Sequence, residues 1–382
     1  LDRYDKFKSQ THQIDKQPEA TDLDHTSIRV REHFGLISND SHIDQFTFLV
    51  SPPKSRVGVQ KNDYVLVDHP LLGDSIQILA VIKDISSYEE IAGSTINERK
   101  GKMLATAHVL GSIDLNSDAK PLRTVLVPPT PGSRVYIPVK GFLQDILNRN
   151  QKGQPYQVPI EIGTLEGAAI EEASSGPVKA FIDAKDFTAQ HSLICADAGT
   201  GKTATAKKLL HAIQTAAAMR IVVFDAYGEY GDVAQVNLDV VAKDALQKEL
   251  GKPRVVALTA ARFSLQGKQE VYSEALMALL KLRMEDKIGA TLVVVEEAEN
   301  LIGFELGEAL AKGRKIGLSL CMVTTSPSAL GNEILSQVGT QLAGKTSQKP
   351  DQEALPDAAA LSAGEWMLSG VNMPRPIKVN IE

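Results

Sequence analysis

The chain has 382 residues, of which 43% are hydrophobic and 23% are charged, and its 41 Lys and Arg against 47 Asp and Glu give a formal net charge of −6. This length and composition predict a globular protein of two or three domains. The two cysteines, Cys195 and Cys321, exclude a disulfide scaffold and a cysteine-based zinc site, and indicate a reducing, cytoplasmic location. Since the sequence has no apolar run long enough to cross a bilayer, we expect no membrane partner. The acidic balance argues against a surface coated for nucleic acid but is compatible with a basic lining inside a pore.

The first 140 residues divide into two parts. Residues 1–27 are polar and weakly patterned, which predicts a flexible N-terminal extension. Residues 28–140 contain short, β-branched runs that alternate at period two between turn residues, which predicts at least five strands in a small β-barrel or sandwich. The runs are 46–50, 64–67, 76–82, 125–127 and 135–137.

Residues 141–176 are predicted to be a linker, because glycine, proline, glutamine and asparagine accumulate there after a short helix at 142–147. From residue 177 to 382, continuous apolar strands alternate with helices, which predicts an α/β domain whose parallel sheet is covered on both faces. The predicted strands are 178–182, 192–196, 221–225, 255–258, 292–295 and 318–324, and the predicted helices run about 202–219, 269–287 and 304–312.

A glycine-rich loop between a predicted strand and a predicted helix gives the strongest chemical signal. Residues 196–203 read Ala-Asp-Ala-Gly-Thr-Gly-Lys-Thr, which fits a Walker A phosphate-binding loop. Lys202 would reach the β- and γ-phosphates of ATP, and Thr203 would bind Mg²⁺. Ala196 stands where the pattern has its first glycine, and it fits if its φ is negative. The predicted nucleotide-binding residues are Ala198, Gly199, Thr200, Gly201, Lys202, Thr203 and Ala204.

The same residues allow other interpretations. Residues 199–204 also match a dinucleotide fingerprint, and Asp225 ends the next strand, where an acid would bind a ribose. This alternative predicts a dinucleotide-binding oxidoreductase, and a further alternative is a glycine turn without a ligand. The Lys202-Thr203 pair, which a dinucleotide loop does not need, favours ATP.

Two adjacent carboxylates follow the strand predicted at 292–295. A strand that ends in Glu296-Glu297 fits a Walker B element, in which Glu296 would hold Mg²⁺ and Glu297 would orient and deprotonate the attacking water. The alternative is a solvated acidic turn at the start of a helix.

Three further polar residues are candidates for supporting roles. Asp225 and Glu229 follow a neighbouring strand, where they would either face the nucleotide or stabilise a turn. Arg314 lies near the end of the helix after the acidic pair, where it would either complement the helix dipole or act as an arginine finger in the site of a neighbouring subunit. His191 and Cys195 are predicted to be core residues.

Taken in order, these motifs resemble the HerA branch of the FtsK/HerA superfamily of hexameric DNA-translocating ATPases. The segments that match lie within about 178–382 and are 198–203, 225–230, 293–298, 313–318, 327–330, 335–341, 351–352 and 364–365. Residues 28–140 resemble the N-terminal barrel (HAS barrel) of that family. The resemblance implies a RecA-like P-loop ATPase domain with a parallel central sheet, preceded by this barrel. It also implies a sensor role for Thr325, whereas the arginine that usually follows is replaced by Ser326.

The resemblance further implies what the protein acts on. It predicts an ATP- and Mg²⁺-dependent homo-hexamer that translocates double-stranded DNA through a central pore, with a NurA-like nuclease docked on the barrel for DNA end resection and repair. Because bacterial relatives pair with other effectors in phage defence, an ATPase scaffold that activates an effector or remodels protein is a second hypothesis. Lys268 and Arg262 are candidate pore residues for the phosphate backbone, whose contacts read no base sequence.

Overall fold

Two β-sheets form the framework of the computed structural model, which describes residues 28, 33–50, 59–88, 102–165, 167, 177–238, 243–301, 304–370 and 376–381. The extension predicted at 1–27 lies outside the described residues. The strands are β1 (Gly35–Ser41), β2 (Gln45–Val50), β3 (Tyr64–His69), β4 (Gly73–Tyr88), β5 (Lys102–Asp114), β6 (Arg134–Tyr136), β7 (Pro159–Leu165), β8 (Lys179–Asp183), β9 (His191–Cys195), β10 (Arg220–Asp225), β11 (Val236–Leu238), β12 (Val255–Thr259), β13 (Thr291–Glu296), β14 (Leu318–Thr324), β15 (Val338–Ala343), β16 (Glu365–Gly370) and β17 (Ile377–Asn380). The α-helices are α1 (Lys140–Ile146), α2 (Ala184–Ala189), α3 (Lys202–Ala217), α4 (Lys243–Glu249), α5 (Leu265–Met284), α6 (Phe304–Ile316), α7 (Pro327–Leu335) and α8 (Lys349–Ala354).

The first sheet closes into an antiparallel barrel with the strand order β1-β2-β5-β4-β3-β6. Strand β2 illustrates the pattern behind it, because Phe46, Phe48 and Val50 are buried and the residues between them are half-buried. Pairing between β1 and β6 closes the barrel and removes the free strand edges. The β-barrel prediction is confirmed.

The strand predicted at 125–127 is wrong. Among the described residues, no strand pairs with this segment, and Leu126 is 83% exposed. Pro128, Pro129 and Pro131 follow it and supply no backbone N–H groups for a ladder, so an apolar run alone does not make a strand here.

The second sheet has eleven strands in the order β11-β12-β10-β13-β14-β9-β15-β16-β17-β7-β8. From β11 to β15 every pair is parallel. Alternate residues of β10 pack into different cores, Ile221 and Val223 into one and Val222 and Phe224 into the other. Both faces of this part of the sheet are therefore covered, as continuous apolar strands require. The predicted α/β fold with a parallel central sheet is confirmed.

Strands β16, β17, β7 and β8 extend this sheet with antiparallel pairs. The sequence predicts β8 as one more parallel strand, and its antiparallel pairing with β7 corrects that expectation. Strand β7 lies inside the segment 141–176 that was predicted to be a linker. It pairs with the C-terminal β17, where Leu165 faces Val379, and a partner so distant in sequence leaves no local pattern.

The strand order determines which loops meet. Strands β10, β13, β14 and β9 are neighbours that run in one direction, so Asp225, Glu296, Thr324 and Cys195 all lie where their strands end, here called the carboxyl end of the sheet. The strands begin at the opposite end, here called the amino end. Among the described helices, none combines the length and the apolar character needed to cross a bilayer.

Candidate nucleotide-binding site

The loop between β9 and α3 has the backbone of a phosphate-binding loop. Gly199 has a φ of 77° and Gly201 a φ of 97°, which is left-handed backbone that glycine adopts without strain. Ala196 is not among the described non-glycine residues with a positive φ, as its fit to the pattern requires. The loop leads directly into Lys202, the first residue of α3, so unpaired N–H groups of the helix N-terminus lie beside it.

The side chain of Lys202 binds back to the loop that precedes it. Its Nζ donates to the backbone oxygen of Asp197 at 2.8 Å, and the Thr200 hydroxyl donates to the same oxygen at 2.6 Å. Burial lowers the pKa of Lys202, while the carboxylates of Glu296, Glu299 and Asp197 act in the opposite direction. The structure therefore places the ammonium within electrostatic reach of the acidic end of β13.

Glu296 is the last residue of β13 and lies opposite Val323 of β14, which in turn lies opposite Ile194 of β9. Its carboxylate is thus two strands away from the strand that leads into the phosphate loop. Burial raises the pKa of Glu296 to about 7, while the Tyr230 hydroxyl, which donates to its Oε1, and Lys202 lower it. A nearby cation such as Mg²⁺ would favour the ionised form.

Glu297 has an unusual backbone for its residue type. Its φ is 50°, a left-handed conformation that costs a non-glycine residue roughly 1 kcal/mol or more and that is often found at functional sites. The Tyr227 hydroxyl donates to Oε1 at 2.7 Å, and the Asn300 side-chain amide donates to Oε2 at 2.9 Å. Its hydrogen bond to Glu297 raises the pKa of Tyr227 to about 12, so this phenol stays a donor at neutral pH.

The turn after β10 is organised by Asp225. Its buried carboxylate accepts hydrogen bonds from the backbone N–H groups of Gly228, Glu229 and Tyr230 at 2.8, 2.9 and 3.0 Å. These bonds are those of the turn-stabilising alternative, and they occupy the carboxylate that a ribose would need. The exposed Glu229 lies close enough to Glu296 to raise its pKa, so it belongs to the surroundings of the acidic pair.

Several residues of this site were not predicted from the sequence. Tyr227 and Tyr230 each donate their hydroxyl to one member of the acidic pair, whereas the sequence analysis selected only Asp225 and Glu229 from this segment. Glu299 accepts from the backbone N–H and the hydroxyl of Thr325 at 3.3 and 2.9 Å, so the predicted sensor residue touches a carboxylate. The other oxygen of Glu299 is buried without a hydrogen-bond partner among the described residues. Spacing shows only that Glu299 follows the pair by two residues.

Arg314 lies apart from these residues. It is exposed in the last turn of α6 and lies close to His191. Burial lowers the pKa of His191, and the charge of Arg314 lowers it further. His191 begins β9, so Arg314 lies at the amino end of the sheet, separated from the phosphate loop by strands such as β14, whose seven residues span about 20 Å. His191 itself accepts from the Leu320 N–H at 3.1 Å and donates to the Leu310 oxygen at 2.9 Å, as a neutral core residue.

The oxygen groups of the site suit a divalent cation held together with phosphates. Among the described residues, no three His, Cys, Asp or Glu side chains are grouped so that they could hold a metal by themselves. Mg²⁺ commonly takes one or two protein ligands and completes its octahedron with phosphate oxygens and water. The Thr203 hydroxyl on α3 and the Glu296 carboxylate on β13 fit that requirement.

The family model described as "Helicase HerA, central domain" matches residues 160–350, half of the chain. A protein named "Probable helicase" of Methanocaldococcus jannaschii is 29% identical over 211 residues, covering 53% of this chain and 37% of the relative. An uncharacterized protein of Aquifex aeolicus is 28% identical over 137 residues, 35% of this chain and 46% of the relative. The chain thus spans less than half the length of these curated relatives.

Two solved structures show a distant likeness. The genome packaging NTPase B204 of Sulfolobus turreted icosahedral virus 2, in complex with ATP-gammaS, is 15% identical with a TM-score of 0.41 and covers 51% of this chain and 99% of its own. VirB4 of Thermoanaerobacter pseudethanolicus is 15% identical with a TM-score of 0.42, and the match covers 59% of this chain and 97% of VirB4.

Proposed function

Because this chain belongs to the family of the HerA helicase central domain, we propose that it is an ATP-hydrolysing motor that moves along double-stranded DNA as a homo-hexameric ring. The observation that supports this most is the arrangement at the carboxyl end of the sheet. There the phosphate-binding loop and the Lys202 ammonium lie within electrostatic reach of the Glu296 carboxylate, and Glu297 is the next residue of the chain.

Each residue of this arrangement has a distinct task in phosphoryl transfer. The N–H groups of the loop bind the phosphates, and Lys202 exchanges the Asp197 oxygen for phosphate oxygens. Thr203 and Glu296 would hold Mg²⁺, which would neutralise phosphate charge. Glu297 accepts a proton from the attacking water.

The position of Arg314 supports a ring. An arginine finger must touch the γ-phosphate, yet Arg314 is at the amino end of the sheet and its own phosphate loop is at the carboxyl end. It can therefore act as a finger only in the site of a neighbouring copy, which requires neighbours packed with the amino end of one sheet against the carboxyl end of the next. A closed ring of such heterologous contacts is the expected assembly.

The DNA substrate and the partner complete the proposal. Lys268 and Arg262 are basic residues near the carboxyl end of the sheet, and such residues bind phosphates without reading bases. We place a NurA-like nuclease on the barrel, for DNA end resection. The second candidate is a scaffold ATPase that activates another effector, as in phage defence, or remodels protein, and the net charge of −6 is the observation that favours it.

The proposal is tested by steady-state ATP hydrolysis with and without linear double-stranded DNA over a range of salt concentrations. We expect DNA to stimulate turnover and rising salt to abolish that stimulation, because phosphate contacts release counterions. Glu297→Gln should lower kcat by roughly 10²–10⁴-fold and keep nucleotide binding, since it removes the base alone.

The matched control is Glu333→Gln, an exposed carboxylate on α7, which should behave as wild type. Wild-type turnover in Glu297→Gln would show that the catalytic assignment is wrong. Turnover that ignores DNA at every salt concentration would contradict the DNA substrate and favour the scaffold.

A further inference from the structure

Tyr227 contacts two functional groups at once although 58% of it is exposed. Its hydroxyl donates to Oε1 of Glu297 at 2.7 Å, and the Nζ of Lys268 lies 4.2 Å from the centre of its ring. Tyr230, three residues later, donates to Glu296 but is fully buried, so only the Tyr227 contact is open to outside influence.

The contact with Tyr227 restrains the proposed base. Both oxygens of the Glu297 carboxylate are engaged, Oε1 by Tyr227 and Oε2 by Asn300. A carboxylate that deprotonates water must accept the hydrogen of that water on one of its oxygens. Loss of the Tyr227 bond would therefore free Oε1 to accept that hydrogen.

Lys268 lies over the Tyr227 ring, where its charge acts on the electrons of the phenol. A cation above an aromatic ring is attracted by the electrons of the ring and draws them away from the phenol oxygen, so the hydroxyl becomes a stronger donor. Lys268 is half-buried in the first turn of α5, and among the described residues no carboxylate forms an ion pair with its ammonium. A phosphate anion binds an ammonium more strongly than a neutral ring does.

We propose that Tyr227 is a positioning residue that restrains Glu297 until a phosphodiester of bound DNA draws Lys268 away from its ring. Without the cation, the phenol is a weaker donor, the exposed side chain turns away, and Oε1 of Glu297 accepts the attacking water. DNA then stimulates ATP hydrolysis without touching the phosphates of ATP. This inference rests on the proposed function, because it assigns a control to the same carboxylate and the same polymer.

The test measures kcat and KM for ATP with and without linear double-stranded DNA. Tyr227→Phe removes the hydroxyl and keeps the ring under Lys268. We expect its DNA-free kcat to rise roughly tenfold, which is about 1.4 kcal/mol of barrier, with KM unchanged and little further stimulation by DNA. Lys268→Gln should raise the DNA-free kcat roughly threefold and weaken the stimulation. Tyr156→Phe, outside the site, and Lys281→Gln, exposed on the last turn of α5, are controls that should match wild type.

An unchanged or lowered DNA-free kcat in Tyr227→Phe overturns the inference, as does a change confined to KM, because Tyr227 acts on Glu297 and not on ATP binding. Wild-type protein that hydrolyses ATP without any response to DNA overturns the proposed substrate instead, so the two failures are distinct. If thermal unfolding shows that Tyr227→Phe does not fold, Lys268→Gln supplies the same readout.

Discussion

Two arginines at the amino end of the large sheet and the acidic pair at its carboxyl end differ in what they bind. Arg220 donates to the backbone oxygen of Leu250 at 2.7 Å, and Arg283 donates to that of Ile316 at 2.8 Å. The acidic pair instead accepts hydrogen bonds from two tyrosine side chains.

This difference indicates which side chains stabilise the fold and which take part in ATP hydrolysis. The bonds of these two arginines satisfy backbone oxygens away from the nucleotide, and their loss would leave those oxygens without a donor, so they are expected to persist through the ATP cycle. A bond between two side chains can be exchanged for a ligand by rotation of one of them. The amino end is thus expected to govern stability and the carboxyl end turnover, with Arg314 as an exception that acts on a neighbour.

The largest expected effect tests that exception. Lys202→Ala and Arg314→Ala should each lower kcat by roughly 10³–10⁵-fold, through phosphate binding and through the finger respectively. Rings mixed from the two variants should recover part of the ATP hydrolysis, because some interfaces then combine an intact loop with an intact arginine. A mixture of Lys202→Ala with Glu297→Gln is the control, since both defects lie in the same half of the site and no interface becomes whole. If the mixture of Lys202→Ala and Arg314→Ala recovers no ATP hydrolysis at any ratio, the neighbouring subunit does not supply the arginine finger.

The next effect concerns the amino end. Arg283→Ala leaves the oxygens of Ile316 and Ile288 without their donor, and it should lower the free energy of unfolding by about 3 kcal/mol. Chemical denaturation measures this loss, while kcat at 25 °C should stay at the wild-type value. Lys281→Ala, exposed on the same helix, should change stability by less than about 0.5 kcal/mol. A loss of kcat in folded Arg283→Ala would break the division between the two ends.

The smallest effect is a pH dependence at the carboxyl end. The pKa of Glu296 in the folded protein is about 7 against an ordinary 4.5, so its contribution to stability is complete below pH 4.5 and is lost as the pH rises through 7. Without nucleotide, Glu296→Gln should therefore be more stable than wild type at pH 8 by about 3 kcal/mol, and the gain should nearly vanish at pH 4.5. Denaturation of both proteins at the two pH values measures it, with Glu333→Gln as the control. A gain of equal size at both pH values would argue against burial of an ionised Glu296.

Much of the central fold follows from local sequence. The predicted strands at 221–225, 292–295 and 318–324 and the helix after Lys202 agree with β10, β13, β14 and α3. Their apolar runs are continuous because both faces of the sheet are buried, so the pattern is strong. The antiparallel strands β7, β16 and β17 were not predicted, and β7 pairs with the C-terminal β17, a partner too distant in sequence to leave a local pattern. The run predicted as a strand at 125–127 forms none because prolines follow it.

The sequence by itself determined the phosphate loop and the acidic pair. Each is a short run of neighbouring residues that directly follows a strand, and the local pattern predicts that strand. Only the tertiary structure decided that Asp225 serves a turn, that Arg314 lies at the other end of the sheet, and that Tyr227 binds Glu297. The physical reason is that hydrogen bonds and charge interactions act over a few ångströms in space. Two side chains 70 residues apart, such as Tyr227 and Glu297, meet only after β10 and β13 have paired in register.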